Sequence, residues 1–278
     1  MNRPVVALLY DFDKTLGTKD MQEFKFIPSL SLSASEFWQG ANDLAKAEKM
    51  DGVLAYMYYM LVMAKAKNKP IRREELVAQG KSVEFFKGVE EWFDRINAYG
   101  EEAGVVVEHY VLSSGLKEMI EGTSIADKFT KIFASEFHYD GKGDAVWAKL
   151  AVNYTAKTQF VYRINKGVLD ISNDKQLNES TPDSDRRVKF TNMIYIGDGL
   201  TDVPCMKLVR SGGGTSIALY TGEVSEFVQN MVDRNRVDYA FPADYSEGSP
   251  LDSLMKKLLH KLAIDNVLDD ERKRQRKK

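Results

Sequence analysis

The sequence predicts an α/β fold: a Rossmann-like parallel sheet flanked by helices, with an inserted helical cap and a β-hairpin. Three observations carry this. Val5-Val6-Ala7-Leu8-Leu9 and Met193-Ile194-Tyr195-Ile196 are apolar runs without polar alternation, the pattern of parallel strands buried on both faces. A third strand, 105–112, falls between them in the chain. Each runs directly into polar groups: Asp11 and Asp13, Ser113-Ser114-Gly115, and Asp198 with Asp202. Ligands of open α/β sheets bind beyond the carboxyl ends of the strands, so one pattern predicts the fold and the site together.

At the first strand end, side chains alternate in extended backbone. Asp11 and Asp13 can therefore share one side while Phe12 turns into the core. Thr15 and Gly17 suit the turn that must follow. Two carboxylates this close repel and call for positive charge, for which a hard divalent cation such as Mg²⁺ is the natural partner. A polar loop closing a buried strand is the plainer reading. Asp198 and Asp202 stand four apart and share a face if Gly199 opens a helix.

Residues 18–85 differ in character. Beta-branched runs vanish, and Leu54, Met57, Tyr58, Leu61 and Val62 recur at helical spacing. Ser33 or Ser35 is placed to cap a helix beginning near Glu36-Phe37-Trp38. Asn68-Lys69-Pro70 ends one helix, and Arg72-Arg73-Glu74-Glu75 opens a charged one. The expected organisation is a helical domain, 18–85, set into an α/β core of 1–17 and 86–278. Residues 88–103 place Val89, Trp92, Phe93 and Ile96 on one face, an amphipathic helix returning to the sheet. A strand over 131–139, the turn Asp140-Gly141-Lys142-Gly143-Asp144 and a return over 145–154 make the hairpin. Residues 155–166 are helical, with Phe160, Val161 and Ile164 on one face, and 173–187 form a loop. Gly212-Gly213-Gly214-Thr215 lacks the Lys-Ser/Thr of a P-loop and is a turn before the strand 216–220. One more strand covers 237–241, and the charged run 269–278 is a solvated helix end.

Composition narrows the function. A net charge of −2 offers no field to recruit nucleic acid or an anionic membrane. Cys205, the single cysteine, excludes an intramolecular disulfide framework and fits a buried structural thiol in a reducing compartment. His109, His138 and His260 lack the spacing of zinc ligands, and His109, inside a strand, is expected to be hydrogen-bonded and structural. No signal peptide is visible ahead of the first strand, and the apolar stretch 53–64 is too short to span a bilayer. The expected location is cytoplasmic, with the oligomeric state left open.

Asp11-Phe12-Asp13-Lys14-Thr15-Leu16, Val111-Leu112-Ser113-Ser114-Gly115 and Gly197-Asp198-Gly199-Leu200-Thr201-Asp202, in this order, resemble three of the four motifs of the haloacid dehalogenase superfamily. The wide gap between the first two is similar to the branch with an inserted helical cap, as in phosphoserine phosphatases. The resemblance implies a Mg²⁺-dependent phosphatase that acts on a small phosphorylated metabolite through an aspartyl-phosphate. Asp11 is the implied nucleophile, and Asp13 the acid that protonates the leaving oxygen and later activates water. Mg²⁺ is implied on Asp11, on the backbone carbonyl of Asp13 and on Asp198, with Asp202 close by or bound through water. Ser113 and the N–H groups around Ser114 and Gly115 are implied to hold the phosphoryl oxygens.

The superfamily's fourth motif is a lysine. Lys157, where a helix opens after the hairpin, is the first candidate and Lys166 the second. The sequence also departs from the phosphoserine phosphatase pattern. Ser114-Gly115 stands where that family has two glycines, and Asp20 where it has a substrate-binding glutamate. Asp20 is thus a candidate substrate contact or a helix cap, and phosphoserine does not follow as the substrate.

Other functions share the same features. A phosphotransferase or mutase uses the same intermediate, and a non-catalytic phospho-ligand binding protein can keep the fold without turnover. The second alternative leaves the pairing of Asp11 with Asp13 unexplained. A dehalogenase is disfavoured because it needs neither Asp13 nor the pair Asp198 and Asp202.

Overall fold

The first apolar run forms β1 (Val5–Tyr10), and its alternation divides the core in two. Val6, Leu8 and Tyr10 enter one hydrophobic cluster, Ala7 and Leu9 the other. A strand covered on both faces has no polar side, which is why the sequence shows no alternation there. The computed structural model describes residues 3–276.

β2 (Val106–Leu116) and β3 (Lys131–Tyr139) extend the sheet on one side of β1, and β4 (Ala145–Leu150) closes that edge as the return of a hairpin. β5 (Met193–Gly197), β6 (Thr215–Tyr220) and β7 (Tyr239–Pro242) extend it on the other. The order is β4-β3-β2-β1-β5-β6-β7, parallel except for β4. After β1 the chain first builds outward through β2 and β3, then returns to β5 on the opposite side. The carboxyl ends of β1 and β5 therefore flank the switch point where such sheets open a crevice.

Between β1 and β2 the chain forms α1 (Phe26–Ser29), α2 (Ala34–Glu48), α3 (Gly52–Ala66), α4 (Arg73–Gly80) and α5 (Val89–Ala103). Ser33 caps α2 in a reciprocal box: its hydroxyl accepts from the Glu36 N–H, and the Glu36 carboxylate accepts from the Ser33 N–H. Asp51 caps α3 by accepting from the N–H groups of Val53 and Leu54 at 3.0 and 3.1 Å. Aromatic rings lock α2 to α3, Phe37 meeting Tyr59 edge to face at 5.3 Å.

Past β2 come α6 (Lys117–Glu121), α7 (Ala156–Lys166), α8 (Asp174–Asn178), α9 (Val203–Ser211), α10 (Glu226–Asp233) and α11 (Pro250–Arg276). Trp92, Phe93 and Ile96 of α5 and Leu251, Met255 and Leu259 of α11 cover one face of the sheet. Phe160, Val161 and Ile164 of α7, Cys205, Met206 and Val209 of α9, and Val228 and Met231 of α10 cover the other. Cys205 is a buried free thiol, pushed up to about 12 mainly by that burial.

His109 sits in a chain of hydrogen bonds. Trp92 Nε1–H donates to the Tyr10 hydroxyl at 2.9 Å, that hydroxyl meets His109 Nδ1 at 3.1 Å, and Nε2 meets Asn97 Oδ1 at 3.1 Å. The ring is buried, and burial pushes it down to about 3, so it is held neutral.

Three local expectations shift. No helix starts at Gly199: residues 199–202 form a turn, Asp202 is the N-cap residue, and α9 begins at Val203. The segment 173–187 contains the short helix α8, which Asn173 caps. β2 runs past Ser113 to Leu116, because Ser114 and Gly115 bulge out of the ladder between Ser113 and Leu116. Among the described residues no helix is long and apolar enough to cross a membrane.

Candidate active site

The end of β1 is tied to β5, since the Asp11 N–H donates to the Ile196 carbonyl at 2.9 Å. Immediately beyond, the Phe12 carbonyl accepts from the N–H groups of Thr15, Leu16 and Gly17. This knot reverses the chain and forces Lys14 into the left-handed region, φ 57°. Phe12 is fully buried, while Asp11 and Asp13 on either side of it line one cavity. The predicted alternation is realised. Asp11 Oδ1 accepts from the Phe12 N–H at 2.8 Å, and Asp13 Oδ1 from the Met21 N–H at 2.8 Å, so both carboxylates are fixed in direction.

Lys157 reaches the same point from the first turn of α7. Its ammonium lies 2.9 Å from Asp11 Oδ1 and 2.8 Å from Asp202 Oδ1 and is fully buried. Burial opposes its charge, but Asp11 and Asp202 more than offset that and hold it protonated. Asp202 is equally buried and is also engaged by the Tyr195 hydroxyl at 2.7 Å and the Gly199 N–H at 3.3 Å. Asp198 is half-buried, lines the cavity, and accepts from the Thr15 hydroxyl at 3.3 Å. Lys166 stands elsewhere: its ammonium donates to the carbonyls of Leu177 and Glu179, holding the chain after α8.

The bulge separates the two serines of β2. Ser113 is fully buried, and its Oγ accepts from the Gly115 N–H at 2.9 Å, within the loop itself. Ser114 and Gly115 line the cavity, and the Ser114 hydroxyl is buried without a partner. Gly115 is glycine for space, because a Cβ there would stand 2.3 Å from Met21 Cε and 2.7 Å from Asp13 Oδ2. Asp20 also lines the cavity. It precedes the 3₁₀ turn Met21–Glu23 but makes no side-chain cap bond, and instead pairs with Lys14 at 2.6 Å.

The cavity has a volume of about 320 Å³, enough for a small metabolite. The rest of its lining includes Gln22, Trp38, Asn42, Asp51, Tyr56 and Asn153, none of which the sequence marked as a site residue. Two bonds join this wall to the sheet end. The Tyr56 hydroxyl donates to the Ser114 carbonyl at 2.6 Å, and Asn153 Nδ2 donates to Asp51 Oδ2 at 2.9 Å.

Electrostatically the site is short of positive charge. Burial and then Asp202 push the Asp11 carboxyl up to about 8, and burial followed by Asp202 pushes Asp198 up to about 6. Asp13 is raised well above the carboxylate range by burial and by Asp20 and Asp11. One oxygen each of Asp11, Asp198 and Asp202 lie within 4.8 Å of one another. An all-oxygen donor set carrying more negative charge than Lys157 compensates fits a hard divalent cation such as Mg²⁺.

Comparisons with known proteins bear on the family and the fold. The family model for haloacid dehalogenase-like hydrolases matches residues 8–207, from β1 into α9. An uncharacterized protein of Borreliella burgdorferi is 26% identical, the alignment covering 89% of this chain and 94% of the relative. Among solved structures, a HAD family hydrolase from Salmonella enterica serovar Typhi superposes with a TM-score of 0.56 at 15% identity, over 91% of this chain and 71% of its own. A substrate-bound phosphoserine phosphatase gives 0.56 at 14% identity, over 86% and 94%. A phospho-aspartyl intermediate analogue of phosphoserine phosphatase gives 0.54 at 15%, over 92% and 99%. At these identities the structural likeness concerns the fold.

Proposed function

The chain belongs to the haloacid dehalogenase-like hydrolases, and from that premise we propose that it is a Mg²⁺-dependent phosphomonoester hydrolase working through an aspartyl-phosphate on Asp11. The observation that carries the proposal is the convergence of Asp11, Asp13, Asp198 and Lys157 at the ends of β1 and β5, open to a cavity of metabolite size.

Asp11 attacks phosphorus, and the bond to the ester oxygen breaks. Its approach is set by Lys157 and the Phe12 N–H, which hold Oδ1 and so fix the rotamer. Asp13, with its raised affinity for a proton, donates that proton to the departing oxygen. The Asp13 carboxylate then takes a proton from water, which attacks the phosphorus and releases phosphate and Asp11. Lys157 stays charged throughout and offsets the meeting of carboxylate and phosphate; Asp202 and Tyr195 position it. Ser114 lines the cavity with an unpartnered hydroxyl that would donate to a phosphoryl oxygen, and Ser113 shapes the bulge by accepting from the Gly115 N–H. Asp11, Asp198 and the Asp13 backbone carbonyl would hold Mg²⁺, with Asp202 behind them, and the ion would neutralise charge on the phosphoryl oxygens.

The segment 18–85 acts as a cap in this scheme. Trp38 and Asn42 of α2 and Tyr56 of α3 close the cavity opposite Asp11, and the bonds Tyr56–Ser114 and Asp51–Asn153 latch it to the core. A closed cap excludes bulk water from the reacting phosphate. The test is a panel of phosphate esters assayed with and without Mg²⁺. Mg²⁺-dependent release of phosphate that disappears in Asp11→Asn supports the proposal; an inert wild type across the panel speaks against it.

A further inference from the structure

The cavity walls also constrain the alcohol to which the phosphate is attached. Five carboxylates line the cavity, those of Asp11, Asp13, Asp20, Asp51 and Asp198, against the single ammonium of Lys14. Lys14 is already paired with Asp20 at 2.6 Å, and Lys157, behind the wall, is shared between Asp11 and Asp202. Among the described residues no arginine or histidine lines the cavity. Even with a divalent ion in place, the carboxylates outnumber the positive charges before a phosphate dianion enters.

The cavity lining has a second feature. Gln22 is only 1% exposed, yet its side-chain oxygen has no hydrogen-bond partner. A buried carbonyl oxygen left unpaired is costly, so a donor supplied by a ligand is the expected complement. The same lining holds Asp20, Asp51, the amides of Asn42 and Asn153, and the rings of Trp38 and Tyr56, which meet edge to face at 5.8 Å. Carboxylates, an orphaned acceptor and aromatic rings favour a cation that carries N–H donors. A ligand carboxylate would meet like charge and amides there, the ammonium of Lys14 being already paired with Asp20 and no guanidinium standing among the described lining residues.

Resting on the phosphatase reading, we propose that the substrate is the phosphate monoester of an amino alcohol: a leaving group with a protonated amine and no carboxylate. The amine lies against Asp20, Gln22 and the Trp38–Tyr56 rings. Phosphoserine, which adds a carboxylate to the same skeleton, is excluded by charge.

The test compares O-phosphoethanolamine, O-phosphoserine and glycerol 1-phosphate, with p-nitrophenyl phosphate as a generic ester. Binding of the three metabolites to the Asp11→Asn protein is measured by calorimetry beside wild-type kcat/KM. The inference expects phosphoethanolamine to exceed each of the other two at least tenfold in both readouts. Asp20→Asn, which frees Lys14 for a ligand carboxylate, narrows the gap to phosphoserine. Turnover of p-nitrophenyl phosphate with phosphoserine or glycerol phosphate equal to or better than phosphoethanolamine overturns the inference and leaves the phosphatase reading standing. No turnover of any ester, p-nitrophenyl phosphate included, overturns that reading itself, and the inference with it.

Discussion

Replacing Lys157 with alanine probes the site at its most constrained point. The ammonium is fully buried and touches two carboxylates, Asp11 at 2.9 Å and Asp202 at 2.8 Å. Its removal leaves both anions in a low-dielectric pocket with Asp198 nearby. Breaking a buried pair from one side costs about 3–5 kcal/mol of stability. The same loss strips charge compensation from Asp11, the proposed nucleophile, a contribution of about 3 kcal/mol, or roughly a hundredfold in rate. Lys166→Ala is the matched control. That ammonium bonds to the carbonyls of Leu177 and Glu179, so about 1 kcal/mol of stability and little of the rate should go with it. The assay is kcat/KM of both variants on one ester, with folding followed by circular dichroism and thermal denaturation. A folded Lys157→Ala with near-normal kcat/KM, or a crippled Lys166→Ala beside it, would refute the reasoning.

Other outcomes follow from the same geometry. Excess chelator should abolish phosphate release, with Mg²⁺ restoring it, and Mg²⁺ should raise the Tm because the clustered acids Asp11, Asp198 and Asp202 then gain a counterion; full activity in chelator would end the metal assignment. Gly115→Ala places a methyl against Met21 and Asp13 and should cost about 1–3 kcal/mol through overpacking, with a matching fall in kcat, whereas an unaltered kcat would show that Asp13 tolerates displacement. His109, at about 3 in the folded chain against an ordinary 6.5, binds its proton only when unfolded across that window. Stability therefore falls as pH drops below 6.5, by about 1.4 kcal/mol per pH unit from this group, and nitrogen NMR should show a neutral ring at pH 5; a protonated ring in folded protein at that pH contradicts the Tyr10–His109–Asn97 chain. Weakening the cap latch with Tyr56→Phe should alter KM for metabolite esters more than for p-nitrophenyl phosphate, and equal effects on all esters would detach that bond from specificity.

The centre of the sheet was legible because a strand buried on both faces must be continuously apolar, as β1 and β5 are, and because their carboxyl ends carry the acids directly. Lys157 could be named only as the first of two lysines, because it opens a helix after a recognisable hairpin turn; the structure brings its ammonium to Asp11 and that of Lys166 to the Leu177 carbonyl. The helices of 18–85 were visible by period, and Ser33 or Ser35 was placed to cap one of them; the structure puts the cap on Ser33, closed by Glu36. The rest of the cavity lining was not legible. Gln22, Asn42, Asp51, Tyr56 and Asn153 come from separate turns and helices, and each alone is an ordinary polar or core residue. Asp51 illustrates the difficulty, since it carries the pattern of a helix cap and does cap α3. The bulge at Ser114 was equally hidden, as two serines and a glycine at a strand end do not reveal which serine lines the cavity. Asp198 and Asp202 were expected to share a helical face; they meet through a turn, which sequence spacing does not distinguish.

The central claim is that Asp11 carries the phosphoryl group. Wild-type protein mixed with excess p-nitrophenyl phosphate and Mg²⁺, quenched in acid within a turnover and digested, can be read by mass spectrometry. The account predicts one phosphoryl group on the peptide containing Asp11, absent from Asp11→Asn, which releases no phosphate. Sustained hydrolysis by Asp11→Asn, with no phosphoryl group trapped on the wild-type peptide, would contradict it.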